Sequence, residues 1–68
     1  MMKKTYLAIV IHRDEYFDIQ FYRVSSNKPK LLGSINENDS ELYSNEYIIE
    51  LVSNEFKNES GIINIINI

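Results

Sequence analysis

Residues 5–11 constrain the fold most strongly, because nearly every one of them is apolar. Side chains of a strand point alternately to its two sides, so a strand here is apolar on both faces. Such a strand is stable inside a sheet that is covered on both sides. We therefore predict a central strand, with one face formed by Leu7, Ile9 and Ile11 and the other by Tyr6, Ala8 and Val10.

The segments that follow predict two further strands. Residues 13–15 are polar and make a short connection, after which apolar residues occupy every second position of 17–21. This alternation is typical of a half-buried strand paired with its neighbour in a hairpin. Loop-forming residues at 25–29 then lead to residues 31–35, which predict a third, weaker strand interrupted by Gly33.

A helix and a last strand complete the pattern. Asn38 and Glu41 have capping-box spacing, Ser40 is an alternative N-cap, and Gly61 lies where a left-handed C-terminal cap is expected. A helix of about 20 residues would span roughly 30 Å. The β-branched segment 62–68 favours a strand. The side of the helix that faces the sheet is predicted to comprise Leu42, Ile48, Ile49, Val52 and Phe56.

The predicted element order is β-β-β-α-β, which defines an α+β fold. Antiparallel pairing of the first three strands and a right-handed crossover through the helix give one four-stranded mixed sheet of order 3-2-1-4, packed on one helix. This order places the doubly apolar first strand in the interior of the sheet. The sequence and the topology rules therefore agree on its position.

The chain length favours a single domain over residues 1–68 that needs additional stabilisation. A chain of this size buries only about 60% of its unfolded surface. The sequence contains no cysteine and only one histidine, His12, so neither disulfides nor a transition-metal site is expected, and no cofactor is predicted. The missing stability should come from good packing or from oligomerisation, and the apolar surfaces described below favour oligomerisation as a homodimer.

The charge distribution bears on partners and location. Net charge is −3, and residues 36–68 carry one lysine against seven acidic residues. Nonspecific nucleic-acid binding normally needs a basic field, so a basic protein partner is favoured over nucleic acid. No apolar run approaches the roughly 20 residues that span a bilayer, and residues 12–15 are too polar to follow a signal peptide. We expect a cytoplasmic protein that does not bind membranes.

The predicted sheet order resembles the front half of a ribonuclease-H-like fold, which raises the question of nuclease activity. Two-metal chemistry in that fold needs an acidic residue near the middle of the first strand. The corresponding segment here is Leu7-Ala8-Ile9-Val10, and the last strand offers only the neutral Asn64 and Asn67. Since no catalytic group surrounds His12 either, the sequence predicts that the protein is not an enzyme.

The first candidate binding surface is a second stripe on the helix. A projection at about 100° per residue places it opposite the sheet-facing residues, so it is expected to point away from the sheet. Tyrosines are frequent interface anchors, and acidic residues beside them attract a basic partner. The predicted partner-binding residues are Tyr43, Tyr47 and Leu51, flanked by Glu46 and Glu50. The alternative is that these are isolated surface tyrosines or that the stripe packs under a loop.

The second candidate surface is the sheet face away from the helix. Nothing in the predicted fold covers this face, and a further strand could pair with the last strand if that strand is a sheet edge. Either feature would support self-association. The predicted oligomer interface comprises Tyr16, Gln20, Tyr22, Ile66 and Ile68.

The first 22 residues contain a hairpin pattern formed by Lys4, Tyr6, Ala8 and Ile9, followed by Asp14, Glu15, Phe17, Ile19 and Phe21. This pattern and the element order resemble HicB-type antitoxins, small partial ribonuclease-H-like domains that bind and neutralise an RNA-cleaving toxin. The chain departs from that family in the segment after the second strand, so no functional residue is carried over.

Two hypotheses for the function follow. The first is a non-catalytic protein-binding domain, antitoxin-like or inhibitor-like, that docks its partner through the helix stripe. The alternative is a self-assembling structural or accessory protein without a separate ligand. A nucleic-acid binder ranks last; it would use Lys3, Lys4, Arg23, Lys28 and Lys30.

Overall fold

A computed structural model describes residues 4–26, 28–38 and 44–68. The elements are β1 (Lys4–His12), β2 (Tyr16–Ser25), β3 (Lys28–Asn38), α1 (Asn45–Glu55) and β4 (Gly61–Asn67). The strands form one mixed sheet of order β3-β2-β1-β4, with β1 antiparallel to β2 and parallel to β4. The predicted α+β class, element order and strand order are confirmed.

β1 lies in the interior of the sheet, and its two faces have different surroundings. Tyr6, Ala8 and Val10 are fully buried beneath α1, where Ile48 and Val52 cover them. On β2, the residues that share this face are Phe17, Ile19 and Phe21, which are also buried. The core is therefore a single layer between the helix and one side of the sheet.

Aromatic side chains connect this core to the end of the helix. The ring of Tyr6 stacks on that of Phe21 at a centroid distance of 5.2 Å. Phe21 in turn stacks on Phe56 at 4.9 Å. Such contacts add to the free energy of area burial. These three stacked rings therefore link β1, β2 and the C-cap residue of α1 directly.

The third strand is longer than predicted. β3 extends over Lys28–Asn38 and pairs with β2 along its whole length, with a β-bulge opposite Phe21 and Tyr22. Gly33 does not interrupt the strand. Its hydrogen leaves room for the Phe56 ring, because a Cβ here would lie 2.9 Å from two ring carbons.

The helix is shorter than predicted, and both of its ends differ. α1 contains 11 residues and begins after the N-cap Ser44, whose side chain accepts a hydrogen bond from the backbone N–H of Tyr47. Asn38 belongs to β3, so it is not the N-cap. Ser40, the other predicted cap, lies outside the described residues. The helix ends at Glu55, and its C-cap is Phe56 rather than a glycine.

Gly61 is required for a different reason from the one predicted. It is the first residue of β4 and pairs with Lys4. A Cβ at this position would overlap the backbone carbonyl of Lys4 and approach the Tyr6 ring. Glycine thus permits the close approach of β4 to β1.

Among the described residues, no helix has the length and apolar character needed to cross a membrane.

Replacement of Gly61 by alanine should therefore destabilise the fold by about 2–3 kcal/mol, since backbone must move to admit the methyl group. Gly33→Ala is the matched control, because its new methyl meets only an aromatic side chain that can shift. We expect the free energy of unfolding to decrease less for Gly33→Ala than for Gly61→Ala. Urea denaturation measures both, and an unchanged stability of Gly61→Ala would contradict the close approach.

Candidate protein-binding surfaces

The side of the sheet opposite α1, here called the open face, carries most of the exposed large hydrophobic residues of the described ranges. Six large hydrophobic residues in the described ranges are strongly exposed, and five of them lie on this face. Their positions follow from the strand pairing, since partner residues of adjacent strands share a face. These five residues are Tyr16, Leu31, Ile62, Ile66 and Ile68.

The open face is apolar on one half and mixed on the other. On the β2 and β3 half, Asn36 donates a hydrogen bond of 2.7 Å to Asp18, and the Tyr22 hydroxyl donates one of 3.0 Å to Gln20. On the β1 and β4 half, apolar residues dominate around Asn64. This half is the isoleucine patch, which comprises Leu7, Ile9, Ile11, Ile62, Ile66 and Ile68.

The predicted oligomer-interface residues all lie on the open face. Ile66 and Ile68 belong to the isoleucine patch, and Tyr16, Gln20 and Tyr22 lie on β2. No described element covers them. Leu7, Ile9 and Ile11 of β1 share this face but were not among the predicted site residues, although the double apolar pattern of β1 indicates them.

The helix stripe is oriented differently from the prediction. Tyr47 and Leu51 are half-buried and pack against the core, so the expectation that they point away from the sheet is wrong. Ile49, which was predicted to face the sheet, is 40% exposed. The buried residues of α1 are Ile48 and Val52. Tyr43 and Leu42 lie outside the described residues.

The outer side of α1 carries a smaller candidate surface. Glu46 and Glu50 are exposed as predicted, and the exposed Ile49 lies on the same side of the helix. This surface has one apolar residue with two acidic neighbours. It keeps the predicted acidic character but has only one of the six exposed large hydrophobic residues of the described ranges, against five on the open face.

A polar cluster that the sequence analysis missed lies at the start of β1 and β4. The hydroxyl of Tyr6 donates a hydrogen bond of 2.6 Å to Oε1 of Glu59. Nη1 of Arg23 lies 3.7 Å from the same oxygen. These residues are 53 and 36 positions apart from Glu59 in sequence, so no local pattern could reveal the contact.

The cluster shifts the pKa of both titrating partners. Burial raises the pKa of Tyr6, and the hydrogen bond to Glu59 raises it further. The same hydrogen bond is the main cause of the lowered pKa of Glu59. Burial opposes it as the second-largest effect, and the positive charges of Lys4, Arg23 and Lys30 lower the pKa further. Three of the basic residues considered for nucleic-acid binding, Lys4, Arg23 and Lys30, therefore lie near the Glu59 carboxylate, which offsets their charge.

The remaining polar residues do not form a metal site in the described part of the chain. No group of three or more His, Cys, Asp or Glu side chains comes together there. Asp18 forms an ion pair of 3.6 Å with Arg13, and exposed His12 shares a hydrogen bond of 3.1 Å with Asn67. Both contacts lie at the end of the sheet where β1 finishes.

Comparison with known proteins does not extend this description: no family model, no curated protein and no solved structure matches the chain.

The Tyr6–Glu59 contact predicts a specific pH dependence of stability. The pKa of Glu59 lies below its ordinary value of 4.5 in the folded protein, so its ionised form contributes stability above pH 4.5 that is lost as the pH falls through the lowered pKa. The pKa of Tyr6 lies above 10.0, so its contribution is present below pH 10.0 and is lost as the pH rises through the raised pKa.

Glu59→Gln should therefore flatten the acid side of the stability profile, and Tyr6→Phe should flatten the alkaline side. Urea denaturation across the pH range measures both effects. The assignment fails if Glu59→Gln loses stability below pH 4.5 as steeply as the original protein.

Proposed function

We propose that this chain is a non-catalytic protein-binding domain, antitoxin-like or inhibitor-like in acting by docking, and that its main docking surface is the isoleucine patch. The observation that supports this proposal is the concentration of exposed large hydrophobic residues on the open face, with one exception, Ile49. Scattered apolar residues are normal on a protein surface, whereas a contiguous patch is typical of an interaction site.

The composition of the patch favours a protein ligand. Its residues are aliphatic and lie on a sheet, which provides a rigid apolar surface for another packed layer. Polar groups occur at its border, where Asp18, Asn36 and Gln20 form hydrogen bonds. An apolar centre with a polar border is the usual anatomy of a protein interface.

The outer side of α1 is a second candidate surface, supported by the exposure of Ile49 on the same side as Glu46 and Glu50. Its acidic residues would favour a basic partner. The half-buried Tyr47 and Leu51 would contribute only their exposed atoms to such an interface. A cytoplasmic location belongs to the same proposal.

Two matched substitutions distinguish these surfaces. Ile11→Lys introduces a charge into the isoleucine patch, opposite Asp18 on β2, which gives the new lysine an acidic neighbour in the folded chain. Ile49→Lys makes the same chemical change on the exposed side of α1. Both variants have the same net charge, so a difference between them reflects the surface.

The original protein, Ile11→Lys and Ile49→Lys should each be immobilised and incubated with an extract of the native host. Free original protein serves as the competitor. The amount of each competed protein that is retained should fall about tenfold or more on Ile11→Lys, because burying a charged lysine in an apolar interface costs more than about 1.4 kcal/mol. The competed proteins should be retained on Ile49→Lys. Thermal unfolding verifies that both variants fold.

The proposal is wrong if competed proteins bind equally to Ile11→Lys and the original chain. Loss on Ile49→Lys alone would assign docking to α1 instead.

A further inference from the structure

The outer edge of β4 presents backbone groups to solvent within the described structure. The N–H of Ile68 donates to Val10 and its carbonyl accepts from the N–H of His12, so Ile68 bonds towards β1. Backbone groups of successive residues in a strand point to opposite edges. Ile63 and Ile65 therefore direct their N–H and C=O groups to the outer edge, and no described strand lies against it.

The two edges of the sheet differ in how they resist pairing. β3 contains Lys28, Pro29 and Lys30 and is bent by a bulge. Charged residues, proline and bulges are the features by which proteins prevent association at edge strands. β4 has the sequence Gly-Ile-Ile-Asn-Ile-Ile-Asn, without charge or proline. Only the β4 edge is suited to accept another strand.

The sequence of β4 is complementary to itself. Residues 62–66 read Ile-Ile-Asn-Ile-Ile in both directions. In an antiparallel pair centred on Asn64, Ile62 lies opposite Ile66 of a second copy, and Ile63 lies opposite Ile65. Asn64 lies opposite its own counterpart. Every apolar residue of this segment therefore meets an apolar residue, and the amide meets an amide.

Neighbouring registers lose this match. A pair centred on Ile65 keeps each side chain on the correct face but places Asn64 opposite Ile66 and Ile63 opposite Asn67. The palindrome thus selects one register over the next allowed one.

The backbone directions fit the same register. Ile63 and Ile65 both point outward, so each can exchange two hydrogen bonds with its opposite residue. The Asn64 pair is then a non-hydrogen-bonded pair, in which the two Cα atoms are about 4.5 Å apart. Both amides lie on the open face and can donate and accept one hydrogen bond with each other.

We propose that two copies of this chain join through β4, antiparallel and with Asn64 opposite Asn64, to form one continuous sheet. This association adds stability to a small domain by burying further surface. It goes beyond the docking function, since edge pairing leaves the isoleucine patch of each copy uncovered.

Cysteine cross-linking tests the register, because the natural sequence contains no cysteine. Asn64→Cys places two thiols on Cα atoms within disulfide range. In the same dimer, the two copies of an Ile66→Cys variant carry their thiols about 13 Å apart, four residues along the strand. Ile66→Cys is the matched control on the same strand and face, and Ile49→Cys is the control on α1.

Mild oxidation at micromolar concentration should convert most of Asn64→Cys to a covalent dimer, at a rate at least tenfold above those of both controls. Equal cross-linking of Ile66→Cys would overturn the register. The dimer would be overturned if none of the three variants cross-links and the original protein sediments with a mass near 8.0 kDa at concentrations up to about 0.5 mM.

A reversible test uses charge instead of covalent capture. Asn64→Asp places two carboxylates opposite each other and should raise the dimer dissociation constant about tenfold or more, while the exposed position leaves the monomer folded. Ile11→Lys should leave the dimer dissociation constant unchanged. Dissociation by Ile11→Lys with no effect of Asn64→Asp would show association through the open face and refute edge pairing.

Discussion

The burial of one face of β1 beneath α1 is the interaction on which the rest of the structure depends. Tyr6, Ala8 and Val10 form the centre of the core, and Ile48 and Val52 of α1 pack on them. A single helix can cover only one side of the sheet. Because β1 is apolar on both sides, the same sequence that builds the core also produces the uncovered isoleucine patch.

The strand order could be predicted from sequence because it depends on strong, local patterns. The double apolar face of β1 requires an interior position, and the alternation in β2 requires one buried side. A right-handed crossover then places β4 beside β1. These constraints act together, so small errors in the strand boundaries, such as the underestimated length of β3, do not change the order.

The orientation of the helix could not be predicted as well. Apolar residues occur around much of α1, so the buried side depends on where the helix begins and ends. The projection included Phe56, which follows the last helical residue, and treated Ile49 as buried. The structure instead buries Ile48 and Val52, with Tyr47 and Leu51 packed beside them. A shift of one residue turns the helix by about 100°.

Contacts between distant residues account for the other features that the sequence did not reveal. The role of Gly61 depends on the Lys4 carbonyl, and the hydrogen bond of Glu59 depends on Tyr6 in a separate strand. The open face, by contrast, follows from alternation alone once the helix covers the opposite side. Its existence was predictable, while the division into an isoleucine patch and a polar half required the strand register.

We propose that this folded chain presents the isoleucine patch to solvent until another polypeptide covers it. Isoleucine methyl NMR with a soluble nitroxide measures this directly in dilute protein. We expect strong broadening of Ile62, Ile66 and Ile68, which are exposed, while Ile19 and Ile48 in the core stay sharp. Equal protection of both groups in a sample shown to be monomeric would contradict the account.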